Sequence, residues 1–390
     1  MNLLKSFQRR TPLGWLQLRH DRGRLMVALA GIAFADVLMF MQLGFQNALY
    51  DSNTRLSRSL QTDLVIVSPQ MRNMQFLSTF SRRRLYQALD VSGVKSTSAL
   101  YSNLITWKNP QTRQERQVQA IGFDPNQIAF NLPEVNQHLE VIKLPDRVLF
   151  DRTTRGQYAQ AIAAFEQGKS VTTEVERHTI TIAGLFTLGS SFAADGTLMT
   201  SDQTFLRLFP RREAASVSLG LVKLQPGADP RQVAAALQRY LPTDVKVLTH
   251  TELVKLEEDF WKSQSPIGFI FGLGTTMAFF VGVVIVYQVL STDVNAHLKE
   301  YATFKAMGYN NGYLLGVVFE EAVILAVLGF IPGVGLPVVL YQLAAKATAL
   351  PIFMTLSRVV LVLTLTLVMC MMSGAIATRK LQSADPADMF

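Results

Sequence analysis

The chain has 390 residues and a formal net charge of +8, from 37 Lys and Arg against 29 Asp and Glu. Hydrophobic residues make up 49% of the chain and charged residues 17%, whereas soluble domains carry about 25% charged residues, so the composition argues against a purely cytosolic enzyme and against disorder. The single cysteine, Cys370, excludes an intrachain disulfide and a zinc or iron–sulfur site built from cysteines.

The first apolar run, residues 25–47, follows a basic tail and predicts a transmembrane helix. It is as long as the roughly 20 residues that a bilayer requires, and it carries one charge, Asp36. A signal peptide has similar flanks, and residues 33–35 resemble a cleavage site, but the apolar run continues beyond the roughly 7–15 residues of a cleaved segment. We therefore predict an uncleaved anchor.

Residues 48–265 are predicted to form an α+β domain with its own core. Alternating apolar residues predict strands at 63–68, 103–107, 117–123, 147–150, 178–186 and 217–224. Helical patterns occupy 82–89, 157–167, 202–208 and 230–241, the last with Asp229 as N-cap. Segments 51–60 and 252–262 are predicted to be helices that continue the first and second spans outward as a stalk.

Three further apolar segments complete a prediction of four transmembrane helices. They occupy residues 266–290, 313–343 and 359–378. The whole is a multi-pass α-helical membrane protein with the α+β domain between its first two spans.

The connecting segments follow from these spans. They are a cytoplasmic tail at 1–24, a coupling loop with a helical pattern at 291–312, a short periplasmic loop at 344–358 and a second cytoplasmic tail at 379–390. The coupling segment could equally be an interfacial helix lying on lipid.

Basic residues near the membrane set the orientation. The first tail carries six Lys and Arg, and the loop at 291–312 and the second tail carry two each. Both termini are therefore predicted to be cytoplasmic. The domain at 48–265 contains 25 Lys and Arg against 21 Asp and Glu, with no basic stripe, so we expect no nucleic-acid partner.

Several residues inside the predicted spans are unusual for a membrane helix. Ionisable side chains at membrane depth are costly and face a protein interior or water, and the candidates are Asp36, Glu320 and Glu321. Asp36 belongs either to a polar path or to a structural hydrogen bond. A cluster containing Gly329, Pro332 and Gly333 predicts close helix packing and a broken or bent third span.

No catalytic or nucleotide-binding constellation emerges. The segment AAFEQGKS at 163–170 satisfies a loose phosphate-loop pattern, but it follows a predicted helix, so Gly168 is better explained as a helix C-cap. The five histidines are scattered, and no G-x-S-x-G elbow is found. We expect no enzyme activity, bound metal or cofactor in this chain.

The segment KEYATFKAMGY, followed by FEEAVILAVLGFIPG, resembles the signature of FtsX/MacB-type ABC transporter permeases. The matching residues are Glu300, Ala302, Lys305, Ala306, Gly308, Glu321, Ala322, Gly329 and Gly333. The order of one span, a large external domain and three spans is similar throughout. TPLGWLQL near the start and ADPADMF at the end resemble the DevC branch, the permeases of cyanobacterial DevBCA-type exporters.

The resemblance implies an inner-membrane permease that works as a homodimer with a separate DevA-like ATPase, on which Mg-ATP is bound. It also implies a periplasmic adaptor (membrane fusion) protein, a TolC-like outer-membrane channel, and lipid or glycolipid as exported material. Glu300, Ala302, Lys305 and Gly308 are then expected to form the ATPase-coupling site. ATP-driven motion is expected to reach the external domain rather than to open a channel.

Two other functions remain open from the sequence. An FtsX-like regulator would use the same lever to activate a cell-wall hydrolase. A membrane enzyme would have its site in the domain at 48–265, although no nucleophile or metal constellation is found there.

Overall fold

A computed structural model describes residues 22–75, 77–175, 178–213, 215–297, 300, 303, 307–309 and 311–378. In chain order its helices are α1 (Arg22–Ser59), α2 (Arg83–Ala88), α3 (Pro133–Asn136), α4 (Leu139–Ile142), α5 (Ala159–Glu166), α6 (Asp202–Leu208), α7 (Pro230–Tyr240), α8 (His250–Asp259), α9 (Pro266–Ala296), α10 (Asn311–Thr348) and α11 (Leu356–Ala377). The strands are β1 (Leu64–Val67), β2 (Phe80–Ser81), β3 (Val94–Lys108), β4 (Glu115–Phe123), β5 (Arg147–Asp151), β6 (Val171–Val175), β7 (His178–Phe186), β8 (Thr197–Ser201), β9 (Ser216–Val217), β10 (Leu219–Leu224) and β11 (Lys246–Thr249).

The described residues divide into two compact units. The membrane unit contains the chain up to Asn47, Phe269–Ala344 and the chain from Ile352. The α+β unit contains Ala48–Gly268 and Ala345–Pro351. The loop after α10 thus belongs with the α+β unit, although it connects two membrane helices.

Four helices, α1, α9, α10 and α11, are long and apolar enough to cross a membrane, which confirms the predicted architecture. Helix α1 has 38 residues, about 57 Å at 1.5 Å per residue, so it exceeds a hydrocarbon core of about 30 Å. It includes the predicted first stalk as part of one unbroken helix. Helix α10 continues through Pro332 and Pro337, so of the two predicted alternatives, a broken or a bent third span, the break is wrong.

The second stalk differs from its prediction. Helix α8 is followed by a π-helical turn at Phe260–Gln264, and Ser265 is extended, with φ −86° and ψ 130°. The ring of Pro266 disfavours a helical conformation at the residue before it. Residues 252–262 are helical as predicted, but they do not continue directly into the second span, because a joint at Ser265 separates them.

The α+β unit is built on a nine-stranded sheet with the order β11-β1-β10-β3-β4-β8-β5-β7-β6. The pairs β4–β8 and β5–β7 are parallel, and the other neighbours are antiparallel. An additional pairing of Trp107 with Val175 returns β6 to β3, so the last strands of the order curl back on the long strand β3.

The edge of this sheet determines where the stalks begin. Strand β1 follows α1 after a short connection and pairs antiparallel with β11, with Leu64 opposite Thr249. Because Thr249 is also the N-cap of α8, this pairing brings the end of α1 and the start of α8 to the same corner. A capping box between Thr249 and Glu252 fixes the first turn of α8.

The core lies on both faces of the sheet. Leu64 and Ile66 of β1 belong to one hydrophobic cluster, and Val65 and Val67 belong to the other. This alternation follows from the two-residue period of a strand. Burial of such side chains stabilises the fold by roughly 1.5–3 kcal/mol each.

The predicted strands and helices of this unit are found, with shifted bounds and one interruption at Ser218 between β9 and β10. Asp229 caps α7 as predicted, since its side chain accepts a hydrogen bond from the Arg231 amide. Gly168 has φ +78° after α5, as expected for a C-cap. Strands β2, β6, β8 and β11, the first half of β3 and the short helices α3 and α4 were not predicted.

Candidate functional site in the stalks, the membrane core and the coupling segment

The two stalk helices contact each other within the α+β unit. Arg58 of α1 donates a hydrogen bond of 2.9 Å to Glu258 of α8, and the ring of His250 is 2.8 Å from the carbonyl oxygen of Ser57. A partly exposed ion pair contributes about 0–1 kcal/mol, so the strand pairing beneath them is the stronger connection. The stalks are therefore joined mainly at their base.

Glu257 anchors α8 to the segment that follows β1. Its Oε1 accepts a hydrogen bond of 2.7 Å from the Met74 amide, and the Met74 carbonyl accepts one of 3.1 Å from Gln119 of β4. Burial raises the pKa of the Glu257 carboxyl to about 8, against the opposing effect of the Met74 hydrogen bond. Glu257 was not predicted as a site residue, because it lies in a run of charged residues that is typical of an exposed helix.

Asp36 lies fully buried in the membrane unit. Its Oδ1 accepts a hydrogen bond of 2.6 Å from the Thr366 hydroxyl of α11, whereas Oδ2 has no hydrogen-bond partner within the described part of the chain. A Cβ added to Gly333 of α10 would lie 2.7 Å from that Oδ2, and one added to Gly329 would lie 2.7 Å from Ile32. The two glycines thus allow α10 to pack directly on the Ile32–Asp36 face of α1.

A second buried charge lies near the start of α11. Arg358 donates a hydrogen bond of 2.8 Å to the Phe353 carbonyl, and its guanidinium lies 5.4 Å from the centre of the Tyr341 ring. The Tyr341 hydroxyl donates to the Phe40 carbonyl. These contacts connect α1, α10 and α11. In the sequence, the only indication of them is a lone arginine beside an apolar run.

The structure separates the two acidic residues that were predicted together in α10. Glu321 is fully buried and lies within electrostatic reach of Asp293 of α9, whereas Glu320 is partly exposed. Adjacent residues of a helix point about 100° apart, which explains the difference. Asp293 was not predicted, because it had been assigned to the loop after the second span.

The coupling segment is only partly described. Helix α9 extends to Ala296, and Glu300 is exposed, with Oε1 3.2 Å from Nδ1 of His297. Gly308 has φ +91°, the left-handed conformation expected there. Ala302 and Lys305 lie outside the described residues, so their role stays a prediction.

No metal site is found in the part of the chain that the structure describes, where no three or more His, Cys, Asp or Glu side chains could hold an ion together. Some buried polar groups bind one another or the backbone, as the Asp36–Thr366 and Glu257–Met74 pairs do. Other buried polar atoms of the described residues, such as Asp36 Oδ2 and Glu257 Oε2, have no hydrogen-bond partner. The arrangement is that of packed helices with a few internal hydrogen bonds, together with a stalk joined to a sheet.

Comparison with protein families gives two matches. Residues 25–240 match the family described as MacB-like periplasmic core domain, and residues 272–386 match the family described as FtsX-like permease C-terminal. No curated protein sequence matches the chain.

The solved structures that match the chain superpose on it only with low TM-scores. The periplasmic region of MacB from Actinobacillus actinomycetemcomitans is 12% identical over 52% of this chain and 94% of that one, with a TM-score of 0.34. The extracellular domain of the noncanonic ABC-type transporter YknZ from Gram-positive bacteria is 10% identical over 48% of this chain and 99% of that one, with a TM-score of 0.31.

Proposed function

Because the chain belongs to the family of FtsX/MacB-type ABC transporter permeases, we propose that it is the permease subunit of an exporter driven by a separate ATPase. Such permeases are multi-pass proteins of the inner membrane and are not themselves enzymes. The proposal is that ATP hydrolysis on the partner moves the α+β unit, and that this motion drives export through an envelope-spanning assembly.

The observation that carries this proposal is the unbroken helix α1. It contributes residues to the membrane unit and to the α+β unit, and a continuous helix transmits a displacement along its axis without a hinge. The pairing of β1 with β11 adds the base of α8 to the same corner of the sheet. Displacement of the membrane helices would therefore be delivered to the sheet.

Packing within the membrane unit favours transmission over a channel. Gly333 allows α10 to contact the Asp36 side chain, with no space for even a methyl group. Gly31 is similarly close to Ile285 of α9, and Gly282 to Met369 of α11. These close approaches fill the centre of the four helices in the state described.

The partners and orientation of the complex belong to the same proposal. Both termini would lie in the cytoplasm and the α+β unit in the periplasm, in a homodimer with two copies of a DevA-like ATPase that binds Mg-ATP. A periplasmic adaptor and a TolC-like channel would complete the path for a lipid or glycolipid. Membrane lipid would surround the exposed apolar faces of α9, α10 and α11.

The coupling segment offers the sharpest test. Glu300→Lys reverses an exposed charge beside His297, and we expect it to abolish ATPase stimulation by the permease and export in cells, while membrane insertion and dimerisation stay normal. ATPase stimulation should be measured on the complex purified from its own membranes, and export in intact cells. Lys169→Ala is the control, since it changes an exposed lysine after Gly168 of the α+β unit and should keep both rates within about twofold, the range of an ordinary surface substitution.

Parental rates in Glu300→Lys would contradict this coupling site. The proteins that co-purify test the exporter itself. Recovery of an adaptor protein supports export, whereas recovery of a cell-wall hydrolase in its place contradicts it and favours an FtsX-like regulator.

A further inference from the structure

We propose that the loop at residues 187–196, between β7 and β8, is a clamp that joins the end of α1 to the end of α10, with Arg55 and Arg155 as its positioning residues. The inference rests on the proposed function, because it names the place where motion of two membrane helices would enter the sheet together. We call these residues the clamp loop.

The first contact of the clamp loop is with α1. Arg55 Nη1 donates a hydrogen bond of 3.1 Å to the carbonyl of Leu188. The next residue, Gly189, has φ +103°, and a Cβ placed there would collide with the same Nη1. Glycine is thus needed for the backbone conformation and for the approach of the arginine.

The second contact is with the end of α10, through Arg155. Its Nη2 donates to the Ser191 carbonyl at 2.7 Å and its Nη1 to Asp195 at 3.2 Å. Its Nε donates to the Thr348 carbonyl at 2.7 Å. Thr348 is the last residue of α10, where backbone carbonyls lack helical partners and carry partial negative charge. A guanidinium matches this position, because its planar fork holds three acceptors at once.

The clamp loop is also braced internally. The Gly189 amide donates a hydrogen bond of 2.8 Å to Asp151 of β5. The buried hydroxyl of Ser190 lies 2.8 Å from the Asp195 carbonyl oxygen and 3.0 Å from that of Thr153. Both ends of the loop continue into strands of the nine-stranded sheet. A loop held at this many points transmits displacement rather than absorbing it.

This connection meets the sheet away from the corner where β1 pairs with β11. The stalk corner involves β1, β11 and α8 at one end of the strand order, whereas the clamp loop joins β7 and β8 towards the other end. Residues 345–351 after α10 belong to the same unit. Helices α1 and α10 would therefore act on the sheet at the clamp loop, a second place besides the β1–β11 corner. Of the helices that connect the spans to the sheet, only α8 would do so through a joint, at Ser265.

Arg152 provides a matched control in the same segment. It pairs with Glu134 at 2.9 Å, with both side chains about two-fifths exposed, and it contacts neither the clamp loop nor α10 in the contacts described for it. Arg152→Ala removes the same charge as Arg155→Ala without removing the clamp.

The experiment is hydrogen–deuterium exchange on the full-length permease, purified with its ATPase from its own membranes, with and without vanadate-trapped nucleotide. In the parental complex, trapping should change exchange in residues 345–351 and 187–196 together. In Arg155→Ala, we expect exchange at 345–351 to be about tenfold faster without nucleotide, as for loss of one charge-assisted hydrogen bond. The response at 187–196 should be lost, while Arg152→Ala should behave like the parent.

The outcomes separate the two proposals. If trapping leaves the parental α+β unit unchanged, the proposed transmission function is wrong. If the parent responds and Arg155→Ala keeps the same response at 187–196, the clamp is wrong and the function stands. If Arg155→Ala raises exchange throughout β3 and β4, the variant has destabilised the whole sheet. Arg155→Lys and Gly189→Ala are then tested in its place, and a parental response in both would overturn the clamp.

Discussion

At the scale of single residues, Glu257 is a buried carboxyl outside the membrane helices whose surroundings shift its pKa. Its carboxyl is buried, one oxygen accepts from the Met74 amide, and the other has no hydrogen-bond partner in the described residues. Burial raises its pKa from 4.5 to about 8. The neutral carboxyl therefore stabilises the folded state. This stabilisation is fully present below about pH 4.5 and is lost as the pH rises through 8.

We expect Glu257→Gln to flatten the pH dependence of stability. Glutamine keeps an acceptor for the Met74 amide and cannot ionise, so the parental loss of up to about 1.4 kcal/mol per pH unit between pH 5 and 8 should disappear in the variant. Thermal unfolding of the full-length protein across this range measures it.

Glu258→Gln is the matched control for this substitution. Partial burial raises the pKa of Glu258, but hydrogen bonds from Arg58 and Lys262 outweigh it and leave the pKa below its ordinary value. Its contribution to stability is therefore lost only in acid, and the slope above pH 5 should match the parent. A parental slope in Glu257→Gln would show that another group is responsible.

At the scale of elements, α10 presents two kinds of glycine. Gly329 and Gly333 are one helical turn apart and face Ile32 and Asp36, whereas a Cβ at Gly335 would meet no atom within 4 Å. The sequence predicted close packing from the first pair. It could not identify α1 as the neighbour, because the glycine spacing says nothing about which helix faces it.

Gly333→Leu should weaken the packing of α10 on α1. A leucine there must displace the Asp36 side chain, and overpacking of this kind typically costs about 1–3 kcal/mol. We expect a lower thermal midpoint in detergent and reduced recovery from membranes. Gly335→Leu adds the same side chain where space is open and should leave both quantities unchanged. Equal effects of the two substitutions would mean that helix propensity, and not the contact with Asp36, is responsible.

Local signals account for the elements that the sequence predicted well. Helices α6 and α7 begin at side-chain caps, Ser201 and Asp229, and caps are visible within a few residues. Strand β6 was not predicted, although VTTEV has a clear alternation. The joint at Ser265 had a signal in the following proline.

The candidate site was predictable only in part, for a physical reason. Asp36 is conspicuous because it is a lone charge in an apolar run. Its partner Thr366 is 330 residues away, and Arg155 and Thr348 are separated by 193. Such pairs depend on the complete fold, and nothing local in the sequence indicates them.

At the scale of the whole molecule, the first and second spans are connected to the sheet in different ways. Helix α1 is continuous, whereas α8 and α9 are separated by the π-helical turn and the extended Ser265. Under the proposed function, displacement would reach the sheet as translation along α1, whereas α8 and α9 would not move as one continuous helix.

The orientation proposed for the chain is testable by cysteine labelling. In a Cys370→Ser background, which removes the buried native thiol, an impermeant reagent added to intact spheroplasts should label a cysteine at the exposed Gln238 of α7. It should not label one at the exposed Met307 until the membrane is opened. The basic residues near the cytoplasmic ends of the spans are the reason for this expectation. The reverse pattern would invert the topology.

The register of β1 has a consequence for how the protein is made. Leu64 must find Val222 and Thr249, so the strand emerges from the ribosome about 185 residues before its second neighbour. At roughly 5–20 residues per second, synthesis of that stretch takes about 10–40 s. During this interval the segment LVIV, buried on both faces in the finished sheet, is an unpaired apolar edge of the kind that aggregates. Biogenesis of this permease should therefore depend on a chaperone that holds β1 until the second span has been inserted.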